Sequence, residues 1–379
     1  MMLKSLTIKN FRMLGDFEVA KLGRVNLIVG KNNSGKSTVL EPLRIYASNA
    51  RPGVLARIAR SHNERTPGLA SEADGPLPYE AFFSGRRFSP DGDNTIFIGQ
   101  GSSDPDALRI RYGFSVEREE VVTIDGEVDK RIRTHFIAHR RDLQEEDEPV
   151  PCLRITRRNH GYRIRLMDAH PNFIASPFRA HDLRCSHIPT QFVSLNELAD
   201  EWDRIALTAD QAIIIEALQI ITPEFEGITF VKDTNASGAR ELQRTARVKL
   251  AKFDHPVPLN SLGDGIVRVF QLILKLFAAR GGFFLIDEFG NGLHYSVQER
   301  VWSLLFRMAA ALDIQVFATT HSWDCIESFA RVAKADIETE GLLFRVGQSV
   351  RTSELGRTIA TVFDREQLHN ITQTDVEVR

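Results

Sequence analysis

The chain has 379 residues, of which 42% are hydrophobic and 26% charged, and a formal net charge of -2, values of a folded globular protein that exclude wholesale disorder. That length accommodates one large α/β domain with an insertion, or two domains. The near-neutral balance excludes a long-range field that would draw nucleic acid or an anionic membrane to the chain unaided.

Cys152, Cys185 and Cys325 lie far apart without metal-ligand spacing, the pattern of reduced thiols in a cytoplasmic protein. The N-terminus lacks a signal-peptide core, and no apolar run approaches the roughly 20 residues of a membrane span. Leu3, Leu6 and Ile8 alternating with Lys4, Thr7 and Lys9 predict a half-buried strand, and the run 25–29 a fully buried one. A helix is predicted over 37–46, with Pro42 near its first turn, where a missing N–H costs least. Residues 51–78 are rich in Pro, Gly, Ser and Arg and read as an exposed connection with room for a short helix.

From 94 to 189 the pattern changes to short alternating runs, at 95–98, 108–116, 121–124, 132–137, 153–156 and 162–167. Asp125-Gly126 and Asn159-His160-Gly161 supply turns, so the stretch predicts antiparallel hairpins. Helices follow from Ser194 with Glu197 and from Thr208 with Gln211, each pair spaced as a capping box, and end near Thr222-Pro223. Strands at 227–231 and 247–253 precede a helix over 266–279. Two buried parallel strands at 283–286 and 314–319, a helix between them, and a last strand at 342–346 complete the chain. No internal repeat or heptad run is present, which excludes a long coiled-coil arm.

Gly30-Lys31-Asn32-Asn33-Ser34-Gly35-Lys36-Ser37 fits G-x-x-x-x-G-K-[ST] between a predicted strand and a predicted helix. Such a loop wraps phosphates with backbone N–H groups, Lys36 reaches the β/γ oxygens, and the Ser37 hydroxyl ligates Mg2+. A second signal is the apolar run 283–286 ending in Asp287 and Glu288. There Asp287 is placed to meet the Mg2+ held by Ser37, and Glu288 to polarise an attacking water. The third is Ser261-Leu262-Gly263-Asp264-Gly265 followed by Arg268, which opens a helix before Asp287, and the fourth is Thr319-Thr320-His321-Ser322 after the second buried strand.

Together with the N-terminal segment ending Asn10-Phe11-Arg12 and the stretch 287–294, these motifs give a chain that resembles the RecF/SMC-like branch of ABC ATPases. Within that branch it resembles the OLD-related AAA-type ATPases of bacterial anti-phage systems. The resemblance implies an α/β P-loop NTPase head with an antiparallel β insertion and a small helical lobe. One ATPase domain would span 1–379, with a core of 1–192 and 255–379, the antiparallel subdomain at about 94–190, and the lobe at 193–254.

It further implies a dimer, or higher oligomer, that sandwiches ATP and Mg2+ between the phosphate loop of one head and the signature of the other. Nucleotide binding then falls to Gly30, Asn32, Asn33, Ser34, Gly35, Lys36, Ser37 and Thr38, with Arg12 as a further contact or as a plain strand-end arginine. Gly263, Asp264 and Gly265 would touch the partner's ATP, although Gly263 stands where the usual signature has serine. Lys36, Glu288 and His321 would be catalytic, and Ser37, Asp287 and a Q-loop glutamine would serve the metal. That glutamine is Gln191, where hairpins give way to helices, or Gln100, which follows a strand.

Two local features stay open. His294 serves structure or catalysis, and the face carrying Arg154, Arg163 and Arg165 is either solvated or a seat for phosphates of DNA, RNA or an acidic partner. Three functions fit the residues: a regulatory ATPase clamp with a separately encoded effector, such as a TOPRIM-type nuclease or toxin; a nuclease; and a RecF-like DNA repair factor. Past His321 the sequence runs only to Arg379, short of the roughly 100 residues expected for a TOPRIM fold, so no nuclease activity is expected from this chain alone.

Overall fold

The structure is a computed structural model that describes residues 2–64, 77–89, 92–124, 127–167, 182–191, 193–219, 222–232, 244–351, 356–363 and 367–368. Its centre is a mostly parallel sheet ordered β16-β15-β3-β14-β13-β9, built from Thr358–Phe363 (β16), Gly341–Gln348 (β15), Val25–Val29 (β3), Gln315–Thr319 (β14), Phe283–Ile286 (β13) and Cys185–Ile188 (β9). Only β16 runs antiparallel. β3, β13 and β14 are buried along their whole length, which is why they read as unbroken apolar runs.

Alternate residues of these strands feed two cores. Leu27, Phe284, Ile286, Val316 and Ala318 face one, shared with helices Asp264–Ala278 (α5), Tyr295–Ala311 (α6) and Trp323–Ala335 (α7). Ile28, Phe283, Leu285 and Phe317 face the other, which they share with helix Lys36–Ala47 (α1) and an outer antiparallel sheet. That sheet is ordered β2-β1-β4-β5-β7-β8, with β6 also on β5, from Leu6–Phe11 (β1), Leu14–Val19 (β2), Thr95–Gly99 (β4), Leu108–Ile124 (β5), Glu127–Ile137 (β6), Val150–Arg157 (β7) and His160–Arg165 (β8). Leu40 and Leu43 of α1 are fully sealed in this second core, so the helix after the phosphate loop is clamped between two sheets.

The third unit packs on α5. Helices Leu195–Ile205 (α3) and Ala209–Gln219 (α4) accompany a small sheet of Phe225–Lys232 (β10), Arg244–Leu250 (β11) and Val257–Pro258 (β12). Lys275 of α5, almost fully buried, bonds Glu201 of α3 at 2.6 Å and also Glu197.

Several expectations need revision. The antiparallel strands are not confined to 94–190: β1 and β2 extend the same sheet, and β9 belongs to the parallel one. Pro42 sits seven residues into α1 rather than in its first turn, where it leaves one helical N–H bond unmade. The runs 108–116 and 121–124 are one strand, β5, and the turn into β8 is at Arg158 and Asn159, with Arg158 at φ +50°. Ser194 caps α3 by accepting from the Glu197 N–H, whereas Gln211 accepts from the Leu207 N–H rather than completing a box with Thr208. The connection at 51–78 carries helix Pro52–Ser61 (α2), while its residues 65–76 and the turn Asp125-Gly126 lie outside the described residues.

Candidate nucleotide site

The parallel register brings the C-terminal ends of β3, β14 and β13 side by side, pairing Ile28 with Thr319 and Ile286 with Ala318. In open α/β sheets ligands gather at that edge. The loop leaving β3 takes backbone conformations closed to most side chains: Gly30 at φ +153°, Asn33 at +62° and Gly35 at +99°. A Cβ on Gly30 would lie 2.3 Å from the Val346 carbonyl and 2.7 Å from Ser34 Oγ, so only glycine fits there. Lys36 is buried and its Nζ donates to the carbonyls of Gly30 (3.0 Å) and Lys31 (3.2 Å). Ser34 Oγ is buried and has no hydrogen-bond partner among the described residues.

One helical position on, Ser37 Oγ donates to Asp287 Oδ1 across 2.8 Å. Thr319 Oγ1 donates to the same oxygen (2.7 Å) and Thr190 Oγ1 to Asp287 Oδ2 (2.7 Å). Asp287 is further pinned through its N–H to the Ile188 carbonyl. The neighbouring Glu288 has the left-handed φ of +49°, its N–H donates to Thr319 Oγ1 (2.8 Å), and its Oε2 lies 2.8 Å from His321 Nδ1. Arg268 of α5 reaches in from behind, Nη2 donating to the carbonyls of both Asp287 and Glu288 at 3.1 Å. Burial lowers the Arg268 pKa to about 10, which leaves it charged at neutral pH.

The donor set suits a phosphate chain with a hard cation. Oxygen ligands from one hydroxyl and one carboxylate match Mg2+, which keeps several waters and takes the rest of its shell from phosphate. No cluster of three or more His, Cys, Asp or Glu poised for a metal exists among the described residues, and Mg2+ in such a site needs none. The unpartnered Ser34 hydroxyl and the glycine-only curve of the loop are the features a bound phosphate would occupy.

The signature turn opens α5, the helix that carries Arg268. Gly263, at φ +93°, caps α5, and Asp264 is exposed in its first turn, with open space around Gly263. The Ser261 hydroxyl donates to the Pro258 carbonyl (2.7 Å). Thr38 Oγ1 lies 3.9 Å from Met13 Sδ of the β1–β2 turn.

Other expected residues sit differently. Arg12, at φ +47°, is engaged by two carboxylates: Nε meets Glu41 (2.9 Å), its two Nη atoms meet Glu64 (2.8 and 2.9 Å), and its guanidinium lies 5.3 Å from the Phe82 ring. Its side chain is 10% exposed, so it sits in a buried ion cluster and is not a plain exposed strand-end arginine. Gln100, just past β4, accepts from the Lys4 N–H (2.7 Å). Gln191 is exposed, three residues past the end of β9, and it is the preceding Thr190 that touches Asp287. His294 caps α6 by accepting from the Ser296 N–H.

Thr190 was not legible in the sequence, its only signal being a hydroxyl one residue before the glutamine. His187, on β9, was missed as well. Burial, reinforced by Arg44, pushes its pKa down to about 3 although Asp287 pulls the other way.

Comparison with known proteins identifies the family and the fold. A family model described as "AAA domain, putative AbiEii toxin, Type IV TA system" matches residues 25–324. An ATP/GTP phosphatase of Helicobacter pylori is 22% identical over 97% of this chain and 99% of its own length. An OLD nuclease of Thermus scotoductus is 25% identical over 85% of this chain, which spans 59% of that nuclease. Among solved structures, an Smc head bound to the C-winged helix domain of ScpA superposes with a TM-score of 0.50 at 12% identity, over 97% of this chain and 99% of that one. That likeness is one of fold.

Proposed function

Since the chain belongs to this AAA-domain family, with the fold of an SMC-type ATPase head, we propose that it binds ATP with Mg2+ at Gly30–Ser37, hydrolyses it, and dimerises around it to control a separately encoded effector in anti-phage defence. The observation that carries the reading is the junction of Ser37 with Asp287, beside the Glu288–His321 pair, at one edge of the sheet. Bound Mg2+ would be held by Ser37 and Asp287 and would neutralise charge developing on the phosphates. Lys36 exchanges the loop carbonyls for phosphate oxygens. Glu288 accepts the proton of the attacking water, and His321 orients its carboxylate and faces the γ-phosphate.

The turn at Gly263, Asp264 and Gly265, exposed at its first two residues, offers helix N-terminal N–H groups to the nucleotide of a second copy. ATP binding and dimerisation then favour each other by the same coupling free energy. The effector is supported by the Thermus nuclease, which extends beyond the part shared with this chain; a TOPRIM-type nuclease or toxin fits that role. A second reading, a RecF-like DNA-binding ATPase, draws on Arg111, Arg154 and Arg163, which stand directly opposite one another across β5, β7 and β8. Like charges in register cost stability unless an anion meets them.

The test is size-exclusion chromatography with ATP and Mg2+ on a Glu288→Gln chain, which should trap a dimer, and on Lys36→Ala, which should stay monomeric. Loss of the charge-assisted lysine contacts is expected to weaken ATP binding about ten- to hundredfold. Identical profiles for the two variants would reject the clamp.

A further inference from the structure

Glu288 carries a side chain at a positive φ, +49°, a conformation that only surrounding contacts sustain in a residue other than glycine. Its peptide is held on both sides. Thr319 Oγ1 receives the Glu288 N–H at 2.8 Å, and Arg268 Nη2 spans the carbonyls before and after it, both at 3.1 Å. Arg268 is only 1% exposed, and its nearest chain landmark is the signature turn, since it lies in the second turn of α5 after the Gly263 cap.

The first turns of α5 and the loop after Glu288 are in direct contact. A Cβ on Gly265 would lie 3.3 Å from the Gly292 carbonyl, and one on Gly292 would lie 3.7 Å from Arg268 Cβ. A displacement of the α5 N-terminus therefore cannot leave the loop 287–292 where it is.

We propose that Arg268 is a positioning residue that fixes the Glu288 carboxylate by bridging its two flanking carbonyls, and so links the signature turn of a subunit to the general base of the same subunit. Contact of Gly263, Asp264 and Gly265 with the nucleotide of a second copy then reaches Glu288 through one buried guanidinium. The inference rests on the ATPase reading above and adds to it a residue that touches neither nucleotide nor water.

The experiment is a double-mutant cycle in steady-state ATP hydrolysis with Mg2+, using R268Q, E288Q and R268Q/E288Q. R268Q is expected to lower kcat roughly 10- to 100-fold with KM within about threefold, the cost of misplacing a catalytic group by about an ångström. Because Arg268 acts through Glu288, the double variant should be no slower than E288Q alone. The same cycle with R268K, which keeps a buried cation under the carbonyls, decides the matter should R268Q fail to fold, and a smaller but equally non-additive loss is expected. Losses that multiply in the double variant, an unchanged kcat, or a KM that rises in step with the fall in kcat would each overturn the proposal. If wild type and E288Q neither bind ATP nor dimerise with it, the ATPase reading itself has failed; if they do, an additive cycle removes Arg268 alone.

Discussion

Ser37 and Asp287, 250 residues apart in sequence, meet through a 2.8 Å hydrogen bond at the mouth of the parallel sheet. The same carboxylate accepts from Thr319 and Thr190, so its lone pairs are directed by three hydroxyls before any cation arrives. Asp287→Asn keeps the volume but replaces one oxygen by an N–H2 donor facing hydroxyls, and it removes the charge that Mg2+ requires. Mg2+-dependent hydrolysis should fall by about two to three orders of magnitude, the scale of transition-state charge stabilisation by a metal. ATP binding measured in EDTA should change little. Turnover retained in Mg2+ would remove Asp287 from the metal site.

Arg12 calls for a stability measurement rather than a binding one. Its guanidinium is divided between Glu41 and Glu64, whose side chains are 8% and 6% exposed, and Arg86 and His62 complete the cluster. Removing one partner of a buried ionic cluster leaves uncompensated charge, which costs about 3 to 5 kcal/mol. Arg12→Ala should therefore lower the denaturant midpoint strongly while the ATP affinity of the protein that remains folded stays within about threefold. A variant with normal stability and weakened ATP binding would restore Arg12 to the nucleotide site.

The contrast between Arg12 and Lys36 shows what the sequence can carry. The phosphate loop is contiguous, and its glycine spacing has one physical use, so Gly30 to Ser37 and the following helix were legible together. Asp287 and Glu288 were legible because a wholly buried strand ends on them. Arg12 was not, since Glu64 lies 52 residues away and nothing local announces the pair. Thr190 and His187 depend on β9, four residues long, pairing in parallel with β13 almost a hundred residues later. The β2 strand escaped notice because Gly15 and Asp16 interrupt its alternation while Leu14, Phe17 and Val19 alone are buried.

His187 gives the fold a dependence on pH that is separable from catalysis. Its pKa is pushed down to about 3, chiefly by burial and next by Arg44, against about 6.5 in an unfolded chain. Between those values the unfolded state binds the proton and the folded state does not, so this residue favours folding above about pH 6.5 and progressively less as pH falls toward 3. One histidine exchanges at most one proton, so the slope from this group is at most about 1.4 kcal/mol per pH unit. Carboxylates titrate in the same window, and the readout is therefore a difference: His187→Asn should lose less stability than wild type between pH 6.5 and 4.5 in denaturant melts, with ATP hydrolysis at pH 7.5 little changed. Parallel pH profiles for the two proteins would show that His187 titrates normally and that its burial carries no penalty.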